Sequence, residues 1–222
     1  MTVTEQSLAT LEQMLSQSGL RDHPFLLAWS AGELSSDELR AFAGQQYHIL
    51  DALPRCISAI HSATGDIAIR RELVKLLSTL EAAESGPAEL WLRTCAALGL
   101  FSDSVRKAPP TMATATAVGV LRSMAETDIV EGLAALIAAF RVLPSACQLQ
   151  RDGLTAHYGL QGGPGLAFFE VFGYQASAHA TTLGQLLRTV VGNDTDAAHA
   201  AHEAALATTA ALREMLNDRT SA

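Results

Sequence analysis

The chain has 222 residues, of which 49% are apolar and 17% charged, and its formal net charge is −8. That length suits one well-buried core, so residues 1–222 read as a single domain rather than two. Acidic and basic residues are scattered, no basic run exists to neutralise phosphates, and no stretch of about 18 uncharged apolar residues marks a membrane span, so nucleic acid and membrane are set aside as partners.

Helical periodicity runs from one end to the other. Residues 1–13 have neither a basic n-region nor an apolar h-region, which leaves a cytoplasmic location as the expectation. Leu8, Leu11, Met14 and Leu15 form an apolar stripe, with Thr2 and Glu5 at capping-box spacing ahead of it. Ser35 and Glu38 repeat that spacing before Leu39, Phe42, Gln46, Ile49, Leu53, Ile57 and Ile60, a long helical face in which Pro54 should produce a kink. Further helices are predicted at about 66–84, 87–99, 110–126, 128–157, 164–191 and 195–217. Pro144 should bend or split the 128–157 segment. Short connections carry the punctuation, among them Gly65-Asp66, Ser85-Gly86-Pro87 and Gln161-Gly162-Gly163-Pro164. The fold class that follows is all-α, about eight antiparallel helices around one core.

Polar residues set into apolar faces are the candidates for function. Gln46 interrupts the stripe between Phe42 and Ile49, and a buried amide needs a partner, whether from the fold or from a ligand. His179 shares one helical face with Phe168, Phe172, Gln175, Ala176 and Leu183, so its imidazole should point inward, as a core histidine or as a site residue. Glu81 and Glu84 lie three apart and so on one face, as a general base and its neighbour or as surface carboxylates. His199, His202 and Glu203 have spacing that suits a metal, but their polar, alanine-rich surroundings favour a solvated face. Cys56, Cys95 and Cys147 are odd in number and far apart, which predicts reduced, buried thiols and no disulfide framework. Cys147 follows Pro144 closely, yet no histidine or acid lies near it in sequence to activate a nucleophile. Gly162-Gly163-Pro164 lacks the lysine and the preceding strand of a phosphate loop.

Several blocks keep a common register. His23-Pro24-Phe25, Ala31-Gly32-Glu33-Leu34-Ser35, Leu39-Arg40-Ala41-Phe42 and Gln46-Tyr47-His48 open it. Glu84-Ser85-Gly86, the segment from Ala88 to Arg93 and Ala97-Leu98-Gly99-Leu100 continue it. His157-Tyr158-Gly159, Phe168-Phe169 and the helix through His179 close it. Over roughly residues 20–190 this pattern resembles the haem-oxygenase-like superfamily that includes pyrroloquinoline quinone synthase, the thiaminase II (TenA) proteins and di-iron oxidases. The resemblance implies a haem-oxygenase-like bundle.

The di-iron members supply six ligands, and the resemblance carries only two of them over: Glu81 (or Glu84) and His179. The other four fall at about Gly86–Pro87 and at Phe140, Phe172 and Ala176, side chains that cannot coordinate iron. No metal and no other cofactor is therefore expected. His23, Tyr47, His48 and His157 fall at or near positions that line the quinone synthase pocket, and Gln46 stands near the thiaminases' pyrimidine-binding aspartate.

Together these readings predict a metal-independent small-molecule enzyme of a specialised natural-product or cofactor pathway, a lyase, cyclase or cofactor-free oxidase. Glu81 or Glu84 would act as base, with His48 and His179 as further catalytic groups. The substrate, a small organic molecule, would be held by His23, Gln46, Tyr47, Phe140, His157, Phe172, Gln175 and Ala176 in an apolar inter-helix pocket. The alternatives are a non-catalytic subunit or ligand-binding partner of an active enzyme, and an iron-dependent oxidase with an atypical site. Pairing through helical faces, as a homodimer or heterodimer, is expected in each case.

Overall fold

The computed structural model describes residues 2–217, which hold eleven α-helices, two short 3-10 turns and no strand. In chain order the helices are α1 (Val3–Gln17), α2 (Pro24–Ala31), α3 (Ser36–Ala63), α4 (Ile67–Leu80), α5 (Pro87–Ala97), α6 (Ser102–Lys107), α7 (Met112–Thr127), α8 (Ile129–Val142), α9 (Cys147–His157), α10 (Ala167–Val191) and α11 (Thr195–Asn217). Both expected capping boxes form, Thr2 with Glu5 and Ser35 with Glu38, each satisfying otherwise orphaned backbone donors at a helix start.

The expected eight segments become eleven for three local reasons. Pro144 splits the predicted 128–157 segment into α8, a 3-10 turn at Leu143–Ala146 and α9, because a proline nitrogen cannot donate to the preceding turn. Pro54, by contrast, stays inside a continuous α3. The short helices α2 and α6 were not foreseen. In α2, Phe25, Leu26, Ala28 and Trp29 are all buried, so no amphipathic period marks it.

The centre of the bundle is α8, packed between α7, α10 and α11. Every residue from Gly132 to Phe140 is buried, which a helix achieves only when neighbours cover it all round. Gly132 lets α8 approach closely: a Cβ there would lie 2.8 Å from Ile60 Cδ1 and 3.0 Å from Ala125 Cα. The stretch Ile129–His157 is apolar and long enough to cross a membrane, but 72% of its most apolar window is buried inside the fold, so its apolarity is spent on the core.

A chain of aromatic rings links the outer helices to α10. Phe25, Trp29 and Phe42 meet one another, Phe42 meets Trp91, and Trp91 meets Phe168, mostly in edge-to-face arrangements with centroids 5–6 Å apart. Both tryptophans also satisfy their N–H groups. Trp29 Nε1 donates to the Gln150 carbonyl at 3.1 Å and Trp91 Nε1 to the Ala43 carbonyl at 2.8 Å. These bonds fix α2 against α9 and α5 against α3.

Candidate functional site

Where α3, α9, α10 and α11 converge, the packing leaves a small cavity of about 10 Å³, room for about one water molecule. Phe42, Phe168 and Phe172, with Cys147 from α9, supply apolar wall, and Gln46 from α3 and Gln150 from α9 are the polar lining. Gln46 is 6% exposed and Gln150 4% exposed. Neither amide makes a hydrogen bond among the described residues, yet neither has a fully buried polar atom left without a partner, so each keeps some access to solvent. Each helix presents the amide for the same reason: it occupies one position of an otherwise apolar stripe, Phe42–Gln46–Ile49 on α3 and Cys147–Gln150–Leu154 on α9.

Phe172 connects this cavity to a second group of polar atoms along α10. Its ring lies 6.4 Å from that of Phe140, which in turn lies 5.3 Å from the His179 imidazole. Residues 172, 175, 176 and 179 share one face of α10, and on that face Gln175 Oε1 and His179 Nε2 are buried without a partner. Burial holds the His179 pKa below its ordinary value, because the apolar surroundings disfavour the imidazolium. The imidazole is therefore neutral at pH 7.

This column does not fit a two-metal centre. Phe140, Phe172 and Ala176, the positions at which the resemblance to di-iron members would have called for ligands, are 1%, 0% and 0% exposed and offer no donor atoms. Among the described residues no three His, Cys, Asp or Glu side chains come together in a way that would hold a metal. His199 and His202 line a shallow pocket with Thr and Ser hydroxyls and have no third ligand there.

The remaining candidates are dispersed. Glu81 ends α4 and Glu84 sits in the following turn; both are exposed, so neither carboxylate shares the interior with Gln46 and His179. Glu81 and Tyr47 instead line an open cleft of about 830 Å³ on the outer side of α3. His48 Nε2 donates to the Ala108 carbonyl at 2.7 Å, which commits the ring to holding the 107–111 connection. His23 caps α2: its Nδ1 accepts from the Phe25 N–H at 3.2 Å, so Nε2 carries the proton and donates to Asn217 Oδ1 at 2.9 Å. His157 is exposed on the surface and packs over Gly32, where a Cβ would lie 2.5 Å from its Cγ. Of the predicted set, Gln46, Phe140, Phe172, Gln175, Ala176 and His179 lie along the interior; His23 is buried as well, but at the α2 cap against Asn217, and Tyr47, His48, Glu81, Glu84 and His157 lie outside.

Gln150 was missed, although the signal that marked Gln46, a polar residue inside an apolar helical stripe, marks it equally. Cys56, Cys95 and Cys147 are free and buried as expected, and burial pushes their thiols up to about 12, which leaves Cys147 a small apolar wall residue rather than a nucleophile.

Comparison with known proteins follows this geometry. Residues 9–215 match the model of the TENA/THI-4/PQQC family. The chain is 31% identical over 171 residues to the 4-aminobenzoate synthase of Nitrosomonas europaea, covering 72% of this chain and 70% of that one. It is 26% identical over 185 residues to the 4-aminobenzoate synthase of Chlamydia pneumoniae, covering 83% and 82%. Its fold is shared with a CADD-like protein from Nostoc punctiforme (TM-score 0.76, 16% identity, 96% and 97% of the two chains). A TenA homologue from P. horikoshii OT3 shares it as well (TM-score 0.75, 16% identity, 97% of each chain).

Proposed function

The chain belongs to the TENA/THI-4/PQQC family, and from that premise we propose that it is a small-molecule biosynthetic enzyme of a cofactor pathway, working in the interior column along α10 without a two-metal centre. The observation that carries this reading is the pair of buried polar atoms without a partner, Gln175 Oε1 and His179 Nε2, on the inner face of α10, together with Gln46 and Gln150 on the wall of one small cavity. A protein core without a ligand to bind gains nothing from two such groups. The relatives named 4-aminobenzoate synthase support a substrate or product built on a planar ring, and Phe42, Phe168 and Phe172 offer matching ring faces.

In this reading each residue has a separate task. Gln46 and Gln150 donate and accept hydrogen bonds to the polar substituents of the ligand, since no charged group lies on the cavity wall. The neutral His179 accepts a proton at Nε2, or orients a polar group there, and Gln175 Oε1 accepts a hydrogen bond beside it. Phe172 and Phe140 must rotate aside to admit a ligand larger than one water, which keeps bulk water out between turnovers. The chemistry that suits these groups is acid–base: elimination, cyclisation or cofactor-free oxidation.

A second reading has its own support. The same aromatic packing that shields the interior also fills it, as it would in a subunit that has lost catalysis and serves an active partner. Deleting the gene and following small molecules by mass spectrometry separates the two. A ring-bearing intermediate should accumulate, be cleared by the wild-type gene, and persist with Gln46→Leu or His179→Phe. If both variants clear it as fast as wild type, the interior is not an active site and the non-catalytic reading takes its place.

A further inference from the structure

The outer cleft is built from different chemistry. Its walls are α3 from Tyr47 to Ser62, the 80–89 segment, and the end of α7 at Arg122–Glu126. Small side chains, Ala59, Ala83, Ala88 and Ala125 among them, leave the space open, and about 830 Å³ lies within the range of small-molecule sites. Gln46 and Tyr47 are neighbours on α3, yet the first lines the interior cavity and the second this cleft, and no residue lines both.

Its charges do not cancel. Four carboxylates and two guanidiniums line it. Asp51 pairs with Arg55 at 3.1 Å and Glu126 with Arg122 at 3.5 Å. Glu89 is held at 2.8 Å by Arg106, whose charged form is favoured first by the Tyr47 phenol and then by Glu89 itself. That leaves Glu81. Its carboxylate makes no hydrogen bond or ion pair among the described residues, yet it stands on the cleft wall beside Leu80 and Ala82.

We propose that this cleft is a second small-molecule site, that it takes an organic cation with a short apolar body, such as a primary amine, and that Glu81 is its counter-charge. The apolar alanines and Leu80 would cover the body, and the hydroxyl groups of Tyr47, Ser58 and Ser62 offer further acceptors to an ammonium head. An anionic ligand of the same size would instead have to displace Asp51 or Glu126 from its arginine and lie beside Glu81, which opposes it.

Calorimetric titration of the full chain with 1,4-diaminobutane tests this, with succinate, of equal length and opposite charge, as the control. The diamine should bind at one site per chain, more weakly as salt is added. Glu81→Gln should weaken it about tenfold, the scale of one hydrogen bond to a charged group. Ser62→Trp, at an exposed position of α3, should block it by filling the cleft, with helicity checked by circular dichroism. The proposal is overturned if the diamine fails to bind, if succinate binds as tightly, or if the diamine binds both variants as it binds wild type.

Discussion

The rings of Phe140 and His179 lie 5.3 Å apart with their planes at 70°, so the one imidazole of the inner column rests against a phenyl ring from α8 rather than against a donor or an acid. That contact decides what His179 can be. Its Nε2 is buried without a partner, and no group of three His, Cys, Asp or Glu side chains among the described residues would share a metal with it.

The first prediction concerns metal. Hard divalent iron needs several carboxylate and imidazole donors, and the column supplies one imidazole. Protein loaded anaerobically with ferrous iron and then desalted should retain less than about a tenth of an iron per chain. Retention of one or two irons per chain, measured by plasma emission, would overturn the reading of the interior given above.

The second concerns pH. A histidine whose folded pKa lies below its ordinary value of 6.5 leaves stability unaffected above that value, where both states are neutral. As pH falls below 6.5 the unfolded chain takes up the proton first, and the folded state loses ground until the folded pKa is passed. Thermal unfolding between pH 7.5 and 5 should show this loss, and His179→Phe should flatten it. An unchanged slope in the variant would mean that His179 is not the group responsible.

The third separates ligand binding from folding. Gln46→Leu and Gln150→Leu each replace a largely buried residue whose amide makes no hydrogen bond within the fold by an apolar side chain of similar volume, so the melting temperature should hold or rise, with a gain of up to about 1 kcal/mol. A loss of more than about 2 kcal/mol in both would show that the amides are satisfied in the fold and have no ligand to meet.

The fourth concerns the seam between α2 and α9. A Cβ on Gly153 would lie 2.6 Å from the Trp29 carbonyl oxygen and 2.8 Å from Trp29 Cδ1. Gly153→Ala should therefore push the two helices apart, weaken the Trp29–Gln150 hydrogen bond and cost about 1–3 kcal/mol, readable by denaturant titration with Trp fluorescence following the ring. Gly119→Ala, where a Cβ meets nothing within 4 Å, is the control and should be neutral or slightly stabilising.

The fold was legible where local chemistry is strong. Capping boxes at Thr2 and Ser35, and the break at Pro144, follow from backbone donors that must be satisfied or are missing. Helix α2 was illegible because eight residues buried on most sides carry no period, and α6 because six residues are too few to show one. At the site, Gln46, Gln175 and His179 could be placed inward because each interrupts an apolar face. For Glu81 and Glu84 the sequence left a base or surface carboxylates open, and the second holds; these residues and His157 stand at helix ends and turns, where the direction of a side chain depends on how the chain leaves the helix and not on a period.

Gln46, Tyr47 and His48 leave α3 at successive steps of about 100°. The first faces the small cavity, the second the open cleft, and the third is tied to the Ala108 carbonyl. A turn of α3 about its own axis by one such step would bring a phenol to the place of an amide. His48, together with Gln45, whose amide bonds both the Pro109 carbonyl and the Thr111 N–H, is the stop that prevents it. The connection before α7 thus sets the azimuth of α3, and through it which of three neighbouring side chains each compartment meets.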